Sequence, residues 1–134
     1  MHKITTMKNL LYILFIAITV TSCNGQQKSG VELVPPATFE QQMAAHKGQV
    51  IDVRTPKEYK SGYIAGAVNM HVYDANFTQR VDSLDKNKTV YVYCKAGGRS
   101  AEAVEQLKSN GFVHIVELDG GMDAWNEANK PVKQ

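Results

Sequence analysis

From Val31 onward, short apolar runs alternate with amphipathic stretches. Val31-Glu32-Leu33-Val34 predicts a first strand, stopped by Pro35-Pro36. Ala37 to Ala45 predicts a helix with Phe39 and Met43 at helical spacing and Gln42 beside them. Val50 to Val53 is a buried strand by its β-branched run, and Pro56 to Ser61 suits a short helix opened by proline. Val68 to His71 predicts another strand, and Asn76 to Leu84 a helix turning Phe77, Val81 and Leu84 inward. Thr89 to Tyr93, TVYVY, carries the strongest strand signal, with Tyr91 and Tyr93 as packing residues. The strongest helix signal follows over Ser100 to Asn110, with Ala101, Val104 and Leu107 on one face and Gly111 as its stop. Val113 to Leu118 predicts a last strand and Met122 to Asn129 a last helix. Strands separated by helices imply parallel pairing through right-handed crossovers. With no internal repeat and no second linker, residues 31–134 are expected to form one α/β domain.

The first 30 residues follow a different pattern. Lys3 and Lys8 precede an apolar run from Leu10 to Val20. That run is too short for a membrane-spanning helix, which needs ~20 apolar residues, and it fits the h-region of a secretory signal. It ends in Val20-Thr21-Ser22-Cys23. This resembles the lipobox of bacterial lipoproteins, although the commonest form has Leu, Ala and Gly before the cysteine. The resemblance implies that residues 1–22 are a signal peptide and that Cys23 is lipidated. Asn24 to Gly30 is polar and glycine-containing, so residues 23–30 suit a flexible tether. The expected location is an exported, lipid-anchored domain facing the periplasm or the cell exterior.

Charge and cysteine content narrow the function. The 134 residues carry 15 bases and 13 acids. Both excess bases are Lys3 and Lys8, so the remainder is neutral, which argues against a nucleic-acid partner. The chain has two cysteines. With Cys23 lipidated, Cys94 has no internal disulfide partner, and an unpaired thiol in an exported chain points to reactivity or to an intermolecular bond.

Cys94 lies where the strongest strand ends, and Lys95-Ala96-Gly97-Gly98-Arg99-Ser100 leads into the strongest helix. In open α/β sheets, ligands bind at the carboxyl ends of strands. Gly97 and Gly98 can take positive φ, so successive N–H groups can turn inward as a nest. The helix terminus adds unsatisfied N–H groups and the positive end of its dipole. Arg99 adds a permanent positive charge and Lys95 another. Together these are expected to lower the Cys94 pKa and hold an anionic substrate beside it. Such a loop suits a nucleophilic cysteine that carries a negative intermediate.

Four segments resemble the rhodanese homology domain in order and spacing. They are Asp52 to Tyr59, Gly62 to Asn69, Cys94 to Ser100, and Gly120-Gly121 through Trp125 to Pro131. The resemblance runs over roughly Val31 to Pro131 and implies a five-stranded parallel sheet with helices on both faces. It further implies that Cys94 accepts a sulfane sulfur as a persulfide and passes it to a thiophilic acceptor. The family often has His and Pro where this chain reads Gly62-Tyr63-Ile64-Ala65-Gly66, a segment that is mainly structural there. Four residues separate Cys94 from Arg99, whereas related phosphatases and arsenate reductases place five there for a tetrahedral oxyanion. The shorter loop fits a terminal sulfur.

The expected cycle takes sulfur from a small donor, thiosulfate or a persulfide, and gives it to cyanide, a thiol or a protein sulfur acceptor. Cys94 and Arg99 are the candidate catalytic residues; Lys95, Ala96, Gly97 and Gly98 form the cradle; no metal or organic cofactor is required. A persulfide carrier that docks a partner with little turnover is the alternative. Asp52 ends a neighbouring strand, where it either holds Arg99 or joins a local ion pair. Arg54 is expected to pair with Glu58. Ser100 is either a loop hydrogen-bond donor or a helix cap, the commoner role for serine there. Gly120 and Gly121 are expected to permit close backbone passage, with Trp125 a core anchor. His46, His71 and His114 show no metal-ligand spacing.

Overall fold

The computed structural model describes residues 30–134. The expected signal peptide, Cys23 and all of the tether except Gly30 lie outside them. Five strands, β1 (Gly30–Val34), β2 (Gln49–Asp52), β3 (Ala67–Asn69), β4 (Val90–Tyr93) and β5 (His114–Leu118), form one parallel sheet in the order β1-β5-β4-β2-β3. Gly30, assigned above to the tether, is the first residue of β1 and pairs with His114.

The helices are α1 (Pro36–Ala45), α2 (Pro56–Lys60), α3 (Phe77–Val81), α4 (Gly98–Ser109) and α5 (Gly121–Glu127). They divide between the two faces of the sheet. On one face, α3 and α4 supply Phe77, Val81, Ala103, Val104 and Leu107 to a core shared with Ile51, Val90, Val92 and Ile115. On the other, α1 and α5 supply Phe39, Met122 and Trp125 to a core shared with Tyr91, Tyr93, Val116 and Leu118. The alternation of side chains along β4 explains the split. All four β4 residues are buried, the signature of a central strand in a sheet covered on both sides. Cys94, next in the alternation, falls on the α3/α4 face.

Three expectations about the elements are corrected. α3 ends at Val81 because Ser83 and Leu84 donate to Arg80 and Val81, tightening its continuation into three-residue turns. β3 starts one residue early and stops at Asn69, a short edge strand with Val68 half exposed. The buried face of α4 is Ser100, Ala103, Val104 and Leu107, while Ala101 points outward. The helix begins two residues earlier than its apolar pattern suggested, since glycines carry no hydrophobic signal.

Candidate active site

Cys94 leaves the end of β4 at the centre of the sheet, and its thiol is free and buried. Two helix termini shape the loop that follows. Gly97 takes φ +121 and caps α4, which any residue with a Cβ adopts only at a cost. From the other side, α5 approaches closely: Met122 and Asp123 donate their N–H groups to the Cys94 and Lys95 carbonyls at 2.9 and 3.0 Å. A Cβ on Gly121 would lie 2.5 Å from both of those oxygens, so glycine there permits the close passage. Because a trans peptide directs its N–H opposite to its carbonyl, pinning these two carbonyls toward α5 turns the N–H groups of Lys95 and Ala96 the other way. Gly97 N–H donates to Cys94 Sγ at 3.0 Å.

The thiol feels two opposed influences. Burial is the largest and favours the neutral form. Hydrogen bonds from the Ser100 side chain and from the N–H groups of Ser100, Gly97 and Ala96 together outweigh it, and the Cys94 pKa lies below its ordinary value. Ser100 is not the helix cap. It sits inside the first turn, fully buried, with Oγ 3.5 Å from Cys94 Sγ, 3.0 Å from the Gly97 carbonyl and 2.7 Å from Glu117 Oε1.

The charged residues pair differently from expectation. Arg54 does not reach Glu58; it clasps Asp52, with Nη2 2.6 Å from Oδ2 and Nε bonded to both carboxylate oxygens. Both groups are buried. Arg54 also donates to the Gly62 carbonyl, and Asn69 Nδ2 to the carbonyls of Asp52 and Arg54. This knot closes the loop after β2 and leaves Asp52 no part in holding Arg99. Glu58 instead receives Arg99 in a two-pronged pair, at 2.8 Å for each nitrogen. The Arg99 bond is the first cause that lowers the Glu58 pKa to about 2, and Thr55 adds to it through a reciprocal cap of α2. Lys95 pairs with Asp123 at 2.8 Å in solvent. Both cations of the loop are therefore neutralised by partners, and the backbone N–H groups are what the cradle directs at sulfur. Among the described residues no three His, Cys, Asp or Glu side chains gather as a metal site.

Three acids that shape this site were not singled out for it from sequence: Glu58 as the partner of Arg99, Asp123 and Glu117. Two had a signal. Thr55-Pro56-Lys57-Glu58 has the spacing of a capping box, and Glu117 is the lone acid in the otherwise buried apolar run of β5. Trp125 is buried with its Nε1 donating to the Pro131 carbonyl, a core anchor as expected.

A parallel five-stranded α/β sheet with a buried cysteine at its central carboxyl edge, cupped by a glycine loop and two helix termini, defines a cysteine-loop domain. Similarities to known proteins specify the family. The rhodanese-like domain matches residues 35–128, and the chain belongs to that family. It is 33% identical over 125 residues to the uncharacterized protein YqhL of Bacillus subtilis, covering 92% of this chain and 94% of that one. It is also 33% identical over 89 residues to the thiosulfate sulfurtransferase GlpE of Shewanella oneidensis, covering 66% and 86%. A crystal structure of a rhodanese-related protein from Thermoplasma volcanium superposes with a TM-score of 0.67 at 32% identity, covering 76% of this chain and 97% of that one. Sulfurtransferases among its relatives make this chain a member of a transferase superfamily.

Proposed function

We propose that the protein is a sulfurtransferase that carries sulfane sulfur on Cys94. The observation that carries this is the Sγ atom at the end of the central strand, buried and bonded by Gly97 N–H at 3.0 Å, with a depressed thiol pKa. The Cys94 thiolate attacks the outer sulfur of a donor such as thiosulfate. The donor S–S bond breaks, sulfite leaves with its electron pair, and a Cys94 persulfide remains. The N–H groups of the loop stabilise the terminal sulfur's charge as oxyanion-hole donors do. A cyanide ion or thiolate then attacks that sulfur, and Cys94 departs as thiolate with the electrons of the broken bond.

A second reading is favoured by one observation. Lys95 and Arg99 are both already paired, so the cradle offers a doubly charged donor little free positive charge. That suits a carrier loaded by a persulfide and unloaded by a partner protein. We propose also that Cys23 is lipidated, on the strength of the ordered basic, apolar and small-residue-cysteine segments, and that the domain works outside the cytoplasmic membrane.

The test uses the full-length chain with Cys23→Ser, which leaves Cys94 as its single thiol. Intact mass is measured after incubation with thiosulfate or a glutathione persulfide, then after cyanide. Gain of one sulfur atom, its removal by cyanide, and no gain when Cys94→Ser is added are expected. Steady turnover with thiosulfate and cyanide selects the enzyme; stoichiometric loading without turnover selects the carrier. No sulfur gain from either donor in a folded, reduced sample overturns both.

A further inference from the structure

Glu117 is a buried ionisable group that the sulfur chemistry leaves unused. It projects from β5 toward α4, 7% exposed, in a strand otherwise composed of apolar residues and His114. In register beside it stand Leu33 of β1 and Val92 of β4. What α4 presents to it is Ser100, whose Oγ lies 2.7 Å from Glu117 Oε1, and Asp119, in the turn just past β5, is the charged group acting on it. A carboxylate at a buried position beside apolar neighbours and a like charge is costly to hold there as packing alone.

The hydroxyl between Cys94 and Glu117 limits what the chain can do. Ser100 has one hydrogen and three neighbours able to accept it: Cys94 Sγ as thiolate at 3.5 Å, the Gly97 carbonyl at 3.0 Å and Glu117 Oε1 at 2.7 Å. With Glu117 ionised, the hydrogen points to the carboxylate and Ser100 Oγ accepts from the Cys94 thiol. With Glu117 protonated, the carboxyl donates to Ser100 and frees its hydrogen to donate to the sulfur. The two arrangements differ by one proton passed along the line.

We propose that Glu117 is the proton partner of Cys94, acting through Ser100 as a positioning residue. The thiol S–H bond breaks as its proton passes to Ser100 Oγ, and the Ser100 O–H proton passes to Glu117 Oε1. Cys94 becomes thiolate and Glu117 neutral, with no proton exchanged with solvent. In the second half of the cycle, when the acceptor takes the sulfur and Cys94 is released as thiolate, the same path returns the proton. Burial, aided by Asp119, raises the Glu117 pKa against the Ser100 bond, and the loop lowers that of Cys94, so the two shift toward each other. Groups so linked titrate as a pair rather than singly.

This proposal rests on Cys94 as the reacting thiol, but its test reads ionisation and needs no sulfur transfer. The rate of Cys94 alkylation by iodoacetamide is followed against pH in the full-length Cys23→Ser chain, since only the thiolate reacts. Two inflections are expected, one for the shared proton and one for its loss. Adding Glu117→Gln, which has no titrating proton and can donate its amide N–H to Ser100, should leave one inflection and raise the rate between the two former ones by about tenfold. Ser100→Ala should also give a single inflection, moved to higher pH, and the double variant should match it. A single inflection without any substitution overturns the proposal without need of the variants, and so does a Glu117→Gln profile that overlays the unsubstituted one. Sulfur loading, measured separately by mass, distinguishes failure of the relay from failure of the sulfurtransferase chemistry.

Discussion

Substituting Gly121 by alanine tests whether α5 sets the ionisation of Cys94. Gly121 has φ +56, and an alanine held there costs about 1–2 kcal/mol by steric crowding alone. Its Cβ would also stand 2.5 Å from the backbone oxygens of Cys94 and Lys95, a distance that neither backbone can tolerate. The loop and α5 must part, weakening the Met122 and Asp123 hydrogen bonds, each worth about 1 kcal/mol. The sum is about 3–4 kcal/mol, against a usual stability of about 5–15 kcal/mol, so the variant stays folded at 25 °C. At roughly 4–8 °C per kcal/mol, its Tm should fall by about 12–32 °C. Once the Lys95 carbonyl is released, the Ala96 N–H in the same peptide plane turns off the sulfur. Burial then prevails, the thiol pKa rises, and alkylation at neutral pH slows. Calorimetry and the iodoacetamide pH profile, both below the melting range, check the two halves. A folded variant with a lowered Tm and an unaltered alkylation profile would refute the claim that α5 aims the cradle.

Further outcomes follow from the ion pairs and the N-terminus. Glu58 has its pKa depressed to about 2 by Arg99, so its contribution is present above its ordinary pKa and is lost as pH falls from about 5 toward 2. The pair is partly exposed, which limits it to about 1 kcal/mol; Glu58→Gln should flatten urea stability over that window, and an unchanged slope would contradict the pairing. Asp52→Asn leaves the Arg54 guanidinium buried without its counter-charge and should cost about 3–5 kcal/mol of unfolding free energy by urea titration, well beyond Glu58→Gln. A loss below about 1 kcal/mol would mean that water reaches Arg54. For the anchor, the full chain expressed in a bacterium should incorporate labelled fatty acid and sediment with membranes, and Cys23→Ser should abolish the label. Absence of label in the unsubstituted chain would remove the lipoprotein proposal.

Most of the architecture was legible in the residues themselves. The apolar run TVYVY, the glycines after Cys94 and the helix opened by Pro56 are local signals, because strand and helix periodicity and turn chemistry depend on neighbours a few residues apart. These place Cys94 at the carboxyl end of the strongest strand, and the strand order then makes that strand the central one. The sequence alone also marked Arg99, Asp52, Arg54 and Ser100 as residues of interest, yet it assigned their partners wrongly or left them open. Arg99 meets Glu58 across 41 positions, Lys95 meets Asp123 across 28, and Ser100 meets Glu117 across 17. Asp52 and Arg54, two residues apart, close on each other where the strand ends. Opposite charges carry no address along a chain. Crossovers that bring α2, α4, α5 and β5 to one edge of the sheet select which acid each base reaches, and so whether the cradle holds its sulfur with free cations or with backbone N–H groups.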